Sequence, residues 1–226
     1  RTEELKQRID QASTLQELED IYLPYKPRKR TRATKAREKG LEPLATILLS
    51  QQQTSPREKA AGFTGEQVAN EEEALQGARD IIAEWINEGQ QARSKIRKLF
   101  HYQAFLYSRV AKGQEEEGQK YKDYFDWSEP LRKAPSHRYL AIMRGAKEDI
   151  LKLSIQPEKE EAFHRLKRLY LKNNNESTRQ VEQAIEDSYK RLMAPSMENE
   201  MKAYYKEKAD EEAIRVFAEN LRQLLL

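Results

Sequence analysis

The sequence has no cysteine, only eight glycines and eight prolines, and no apolar run approaching the ~20 residues that a membrane-spanning helix needs. Each absence excludes something. Without cysteine there is no disulfide framework, no thiolate zinc site and no thiol nucleophile. So few glycines and prolines argue against a turn-rich all-β domain. They also leave no P-loop and no G-x-G-x-x-G phosphate cradle. The three histidines, His101, His137 and His164, are far apart and lack the spacing of paired metal ligands on one helix.

What is present is charge. Of 226 residues, 41 are Lys or Arg and 38 Asp or Glu, so 35% are charged against 38% apolar. Mean hydropathy is −0.98. Aromatic residues hold at 8%, enough to argue against wholesale disorder. The expectation is a soluble, helix-rich chain long enough to bury a core. It opens at Arg1 inside an apparent helical pattern and closes on Leu224, Leu225 and Leu226. Those ends read as an internal piece of a longer polypeptide; the alternative is proteolytic processing with a buried terminal helix.

Helical periodicity dominates the first hundred residues. Thr14 with Glu17 predicts a capping box for a helix through Tyr22, stopped by Pro24 and Pro27. A basic helix from about Arg32 to Lys39 should end at Gly40, and Pro43 opens a short apolar helix to Ser50. Ser55-Pro56 signals another start. Asn70, followed by three glutamates, caps a helix whose Ala74, Ala78, Ile81, Ile82, Trp85 and Ile86 define one buried face.

The middle segment is mixed. Leu151, Leu153 and Ile155 alternate with polar residues as in a half-buried strand, with Phe105 to Val110 as its partner. Ser136 should cap a helix that Gly145 stops. The last third returns to helix. Pro157 opens one segment, and Asn173 to Asn175 break it. Val181, Ala184, Ile185, Ser188, Tyr189 and Leu192 then trace an amphipathic stripe. Pro195-Ser196 reads as a turn and a new start, from which nothing interrupts a helix to Leu226. The expected fold is mainly α: an elongated multi-helix scaffold with a small two-stranded β element and a long C-terminal helix. Its parts are a helical region over 1–100, a mixed segment over 101–156, and a helical region over 157–226.

The charge is unevenly placed. Lys26, Arg28, Lys29, Arg30, Arg32, Lys35, Arg37 and Lys39 stand against the single acid Glu38, so residues 26–39 carry a net charge of 8 − 1 = +7. With a net of +3, the rest of the chain sums to 3 − 7 = −4. Such a cluster suits phosphate backbones, and beside it only Tyr25 could stack on a base. The candidate nucleic-acid contacts are Lys26, Arg28, Lys29, Arg30, Arg32, Lys35 and Arg37. The competing reading is a solvated helix face, or arginines paired with acids of a neighbouring helix.

Signals for chemistry are weak. Asp123, Asp126 and Glu129 recur every third residue and could hold Mg²⁺ if they converged, but Tyr121, Tyr124, Phe125 and Trp127 make the region read as an aromatic anchor. Ser136 and His137 are adjacent on one helical turn and do not face each other. No catalytic residue, cofactor, metal or small-molecule substrate is expected.

Four blocks resemble the bacterial Tex family of transcription accessory proteins: Leu18 to Ala45 (LEDIYLPYKPRKRTRATKAREKGLEPLA), Ala74 to Ile86 (ALQGARDIIAEWI), Asp123 to Gly145 (DYFDWSEPLRKAPSHRYLAIMRG), and Ala194 to Leu226. Residues 51–70 and 156–175 match poorly. The resemblance implies a multidomain, cytoplasmic, nucleic-acid-binding protein acting in transcription, with RNA or DNA as partner. It also implies an RNase-H-like domain, helix-hairpin-helix elements and an OB-fold domain outside this stretch, the last supplying most nucleic-acid binding. Within this stretch it implies a non-catalytic helical scaffold with a basic patch for non-specific phosphate contacts. The alternative is a protein-interaction scaffold that docks RNA polymerase or the parent's other domains.

Overall fold

The computed structural model describes residues 2–25 and 30–225. In chain order the helices are α1 (Thr2–Gln11), α2 (Leu15–Tyr22), α3 (Arg32–Glu38), α4 (Glu42–Ser50), α5 (Pro56–Ala61), α6 (Glu71–Glu88) and α7 (Gln90–Gln103). Strands β1 (Phe105–Val110) and β2 (Asp126–Pro130) follow, then α8 (Ser136–Lys147), β3 (Leu151–Gln156), α9 (Lys159–Tyr170), α10 (Glu176–Asp187) and α11 (Ala194–Leu225). The fold is mainly α, as its periodicity predicts. It divides into two compact units, neither a continuous stretch: residues 1–96 with 163–193, and residues 97–162 with 194–226.

The first unit is organised around α6. Asn70 caps it by accepting from the Glu73 amide at 2.9 Å, and the three glutamates of its first turn suit the positive end of the dipole. Ala74, Ala78, Ile81, Ile82, Ala83 and Ile86 are buried, and α3, α4, α5 and α10 all pack on this helix. A helix surrounded in this way also buries polar residues, and these need partners. Arg79 donates to Glu72, Gln76 and Gln180 at 2.5, 2.9 and 2.6 Å. At α2, Thr14 accepts from the Glu17 amide at 3.2 Å, but the Glu17 carboxylate accepts from the Ser13 amide at 2.9 Å rather than closing the box on Thr14.

A second knot in this unit is Gln51, fully buried in a left-handed conformation (φ 55°) at the end of α4. Its Nε2 donates to the Tyr170 carbonyl at 2.6 Å, and its Oε1 accepts from the Lys172 amide at 2.9 Å and the Thr178 hydroxyl at 3.3 Å. Its own carbonyl accepts from Asn173 and Asn175, both at 2.9 Å. The asparagine run that breaks the helical pattern is therefore held by one residue 122 to 124 positions away in sequence.

The second unit holds the sheet. The two strands expected from alternation are present, and β2 adds a third, giving an antiparallel sheet of order β2-β1-β3. The additional strand lies in the segment that reads as an aromatic anchor; its five residues alternate between exposed and half-buried, a pattern too short to stand out. Leu106 pairs with Ile155 on the buried face, beneath α8 and α11. The Ile155 amide donates to Glu198 of α11 at 3.1 Å.

One expected stop is not a stop. Gly145 lies inside α8, where an added Cβ would meet the Leu151 side chain at 2.6 Å; the glycine admits the strand instead of ending the helix. Ser136 is the first residue of α8 rather than its cap, and its hydroxyl donates to Glu212. The start expected at Pro195 holds, since α11 begins at Ala194, but no turn precedes it. Proline lacks an N–H, and its ring clashes with the carbonyl four residues back. Here that residue is Arg191, within a π-helical segment, Ser188–Met193, whose wider turn replaces the α-helical bonding. The helix then runs for 32 residues. Met197, Met201, Tyr205 and Ala209 are buried along its first half, while Ile214, Phe217, Leu221, Leu224 and Leu225 are exposed.

Candidate nucleic-acid interface

The basic segment forms α3, and local chemistry sets both of its ends. Thr31 caps the start, its hydroxyl accepting from the Thr34 amide at 3.0 Å. Gly40 ends it with φ +74°, as expected of a C′ glycine. The Gly40 amide donates to the Arg37 carbonyl at 2.9 Å and the Leu41 amide to that of Ala36 at 3.1 Å, the two bonds of a Schellman motif. Ala33 and Ala36 are buried where α3 packs on α6. With alanines inward, the long cations at neighbouring positions are carried on the remaining faces.

Those cations have different fates. Arg37 is drawn into the fold: its Nη1 donates to Glu84 Oε2 at 2.5 Å, its Nε lies 3.8 Å from Glu42, and its side chain is 21% exposed. Glu84 is itself buried and also accepts from Thr31 at 3.3 Å. Lys39 donates to Glu73 at 2.5 Å, and that bond, helped by the Ala69 amide, holds the Glu73 carboxyl below its ordinary range. Arg30 reaches Glu38 at 3.3 Å, with both side chains exposed, so this pair contributes little. Arg32 and Lys35 are exposed, three residues apart on one side of α3, and neither makes a salt bridge among the described residues, although the charge of Arg32 is felt by Asp80. Lys26, Arg28 and Lys29 lie outside the described residues, as does Pro27.

Beneath this surface sits Asp80 of α6. Burial pushes its carboxyl up, and the neighbouring Asp187 adds to the shift; the Gln76 hydrogen bond and the charges of Arg191 and Arg32 oppose it. Arg191 makes its main bonds to Asp187, at 2.5 and 3.0 Å. The competing expectation, cations paired with acids of a neighbouring helix, holds for Arg37 and Lys39; which acids of α6 claim them is not foreseen. The available signal is Glu84, an acid between Ile82 and Ile86 on an otherwise apolar stretch, since a buried carboxylate requires a cation.

The three carboxylates at every third position do not converge. Asp126 and Glu129 are three residues apart on β2 and so point to opposite faces. Asp126 pairs with Arg109, while Glu129 accepts from Arg138 at 2.6 Å and from Trp127 Nε1 at 3.1 Å. Asp123 lies outside the strand, exposed in the preceding 3₁₀ turn. Among the described residues, no three Asp, Glu or His side chains are placed to hold a metal ion, and no helix is long and apolar enough to cross a membrane.

Residues 51–217 match the Tex central region-like family. The chain belongs to the Tex family. Among its relatives, protein YdcI of Bacillus subtilis (strain 168) is 42% identical, protein tex of Bordetella pertussis 37% and the transcriptional accessory protein Tex of Neisseria gonorrhoeae 35%. Each similarity covers 100% of this chain but only 30 to 32% of the relative, so the chain spans about a third of the length of these Tex proteins. Residues 2–50, which contain α3, precede the matched central region but fall within the similarity to whole relatives.

Proposed function

We propose that this chain is a non-catalytic helical part of a cytoplasmic, nucleic-acid-binding transcription accessory protein, and that α3 contacts phosphates without reading bases. One observation carries the reading: Arg32 and Lys35 stand exposed and without a salt bridge among the described residues, on a helix whose Arg37 and following Lys39 are locked into its packing. Arg30, held among the described residues by an exposed pair with Glu38, joins them, and Arg28 and Lys29 extend the set in sequence. Point charges on a fixed helix suit a sequence-independent electrostatic contact.

The test is binding of the 226-residue chain to duplex nucleic acid across a salt series, read by fluorescence anisotropy. Replacing Arg30, Arg32 and Lys35 together with Gln should weaken binding to all sequences alike and flatten the log–log salt slope by about two to three. Absence of binding at low salt, or binding unchanged by the triple replacement, rejects the proposal. The internal pairing of Arg37 and Lys39 supports a second reading, a scaffold that docks RNA polymerase or the parent's other domains. That reading predicts no binding in the same assay.

A further inference from the structure

The three-stranded sheet has an outer face that none of the preceding roles uses. Alternation along β1 buries Leu106 and Ser108 on one side and leaves Phe105, Tyr107 and Arg109 on the other. The register places flanking residues beside each. Phe105 lies between Pro130 and Gln156, Tyr107 between Ser128 and Ser154, and Arg109 between Asp126 and Lys152. Two half-buried rings, 6.2 Å apart between centroids and inclined by 32°, thus sit in the central column between small or polar neighbours. The row of Asp126, Arg109 and Lys152, two cations against one acid, closes one end of that column.

At the other end the face opens into a cleft of about 380 Å³. Phe105 and Pro130 belong to both, and Tyr102, Gln103, Ala104, Arg132 and the two acids Glu158 and Glu161 line the rest. Tyr102 is 64% exposed, with the Arg132 guanidinium 5.1 Å from its ring centroid. Lys152 is exposed and unpaired among the described residues. Arg109 has its ion pair with Asp126, and both side chains of that pair are more than half exposed. Such a pair is weak enough for a phosphate to replace the carboxylate.

From this arrangement we infer that the outer face of the sheet is a stacking platform for single-stranded nucleic acid, with Phe105 and Tyr107 under successive bases and Lys152 and Arg109 on the backbone. Aromatic faces on a rigid sheet, rimmed by cations, bind single strands because every base has a π-face to stack. A duplex keeps its bases paired and gains nothing from the rings. The cleft adds a preference. Exposed Glu158 repels phosphate but accepts from an exocyclic amine, so the cleft favours cytosine or adenine over uracil. Charge complementarity decides the occupant: a row with Lys152 and Arg109 on the open face, and Glu158 where a base edge would lie.

This inference shares with the proposed function only the premise that the chain meets nucleic acid, and the two fail separately. The probes are fluorescein-labelled oligocytidylate, oligouridylate and a duplex, with the 226-residue chain. Tyr107→Leu should weaken oligocytidylate binding about tenfold and leave duplex binding unchanged. Lys152→Gln, at an exposed position that does not threaten folding, should weaken both single strands less strongly and flatten their salt dependence. Glu158→Gln should abolish the preference for oligocytidylate over oligouridylate. The α3 triple replacement, by contrast, should lower duplex and single-strand binding together. Wild-type protein that binds no single strand at low salt overturns the inference. So does single-strand binding unchanged both in Lys152→Gln and in a Tyr107→Leu variant that unfolds like wild type. Should Tyr107→Leu fail to fold, unchanged binding in Lys152→Gln and an unchanged base preference in Glu158→Gln overturn it.

Discussion

Arg37 of α3 donates to Glu84 of α6 at 2.5 Å, an ion pair in which the arginine is 21% and the glutamate 11% exposed. It converts one member of a basic cluster from a surface charge into a packing element, and it marks the side of α3 that nucleic acid cannot reach.

Breaking that pair should therefore cost stability where neutralising its neighbours does not. Arg37→Ala takes the guanidinium from a buried Glu84 that also accepts from the Thr31 hydroxyl, at an expected cost of about 3 kcal/mol. Arg32→Gln and Lys35→Gln, on the solvent side, should stay within about 0.5 kcal/mol of wild type. Urea unfolding of the three variants checks both expectations. Equal costs for Arg37 and Arg32 would contradict the burial order.

Gln51 makes a second test of the first unit. Its side-chain amide satisfies three groups of the segment from Tyr170 to Thr178, in a buried or half-buried setting. Gln51→Ala removes the bonds and leaves backbone groups unpaired, which should cost about 2 to 4 kcal/mol, the positive φ being borne by glutamine and alanine alike. Gln51→Gly relieves only the backbone conformation and should recover only a small part. Chemical denaturation of both variants measures the split.

His101 predicts a pH dependence in the second unit. Burial holds its imidazole below the ordinary value of 6.5, with Arg97 acting in the same direction and Glu200 opposing. The ring packs edge-on against Tyr204 at 5.3 Å. Because the folded value is depressed, the stability contributed by the neutral ring is complete above 6.5 and is lost as pH falls through the folded value. Thermal melts from about pH 7 down to about pH 5 should show a decline that His101→Phe reduces. An identical decline in the variant would assign the effect to other groups.

Much of the first unit is legible in the sequence. Thr31, Gly40, Ser55, Asn70 and Asn175 mark helix ends through contacts with residues a few positions away, so sequence neighbours suffice to place them. The stripe of α6 is legible for the same reason. The fate of the basic cluster is not. Glu84, Glu73 and Glu42 are 47, 34 and about 5 residues from their cations, and no local pattern pairs them. Gly145 misleads because its local propensity suggests termination, where the close approach of Leu151 gives it a place inside a helix; Pro195 marks the start of α11, but a π-helical segment stands where a turn is expected.

Sequence alone therefore determined the helical class, the absence of cysteine chemistry, the concentration of +7 in one segment and the kinship with Tex proteins. Those are properties of composition, short-range periodicity and motif, which need no knowledge of what lies opposite. Tertiary structure decided which cations remain available, that a third strand completes the sheet, and that each compact unit is assembled from two separated stretches. Burial and pairing are settled between residues far apart in the chain, and there a carboxylate on a neighbouring element outweighs any local preference.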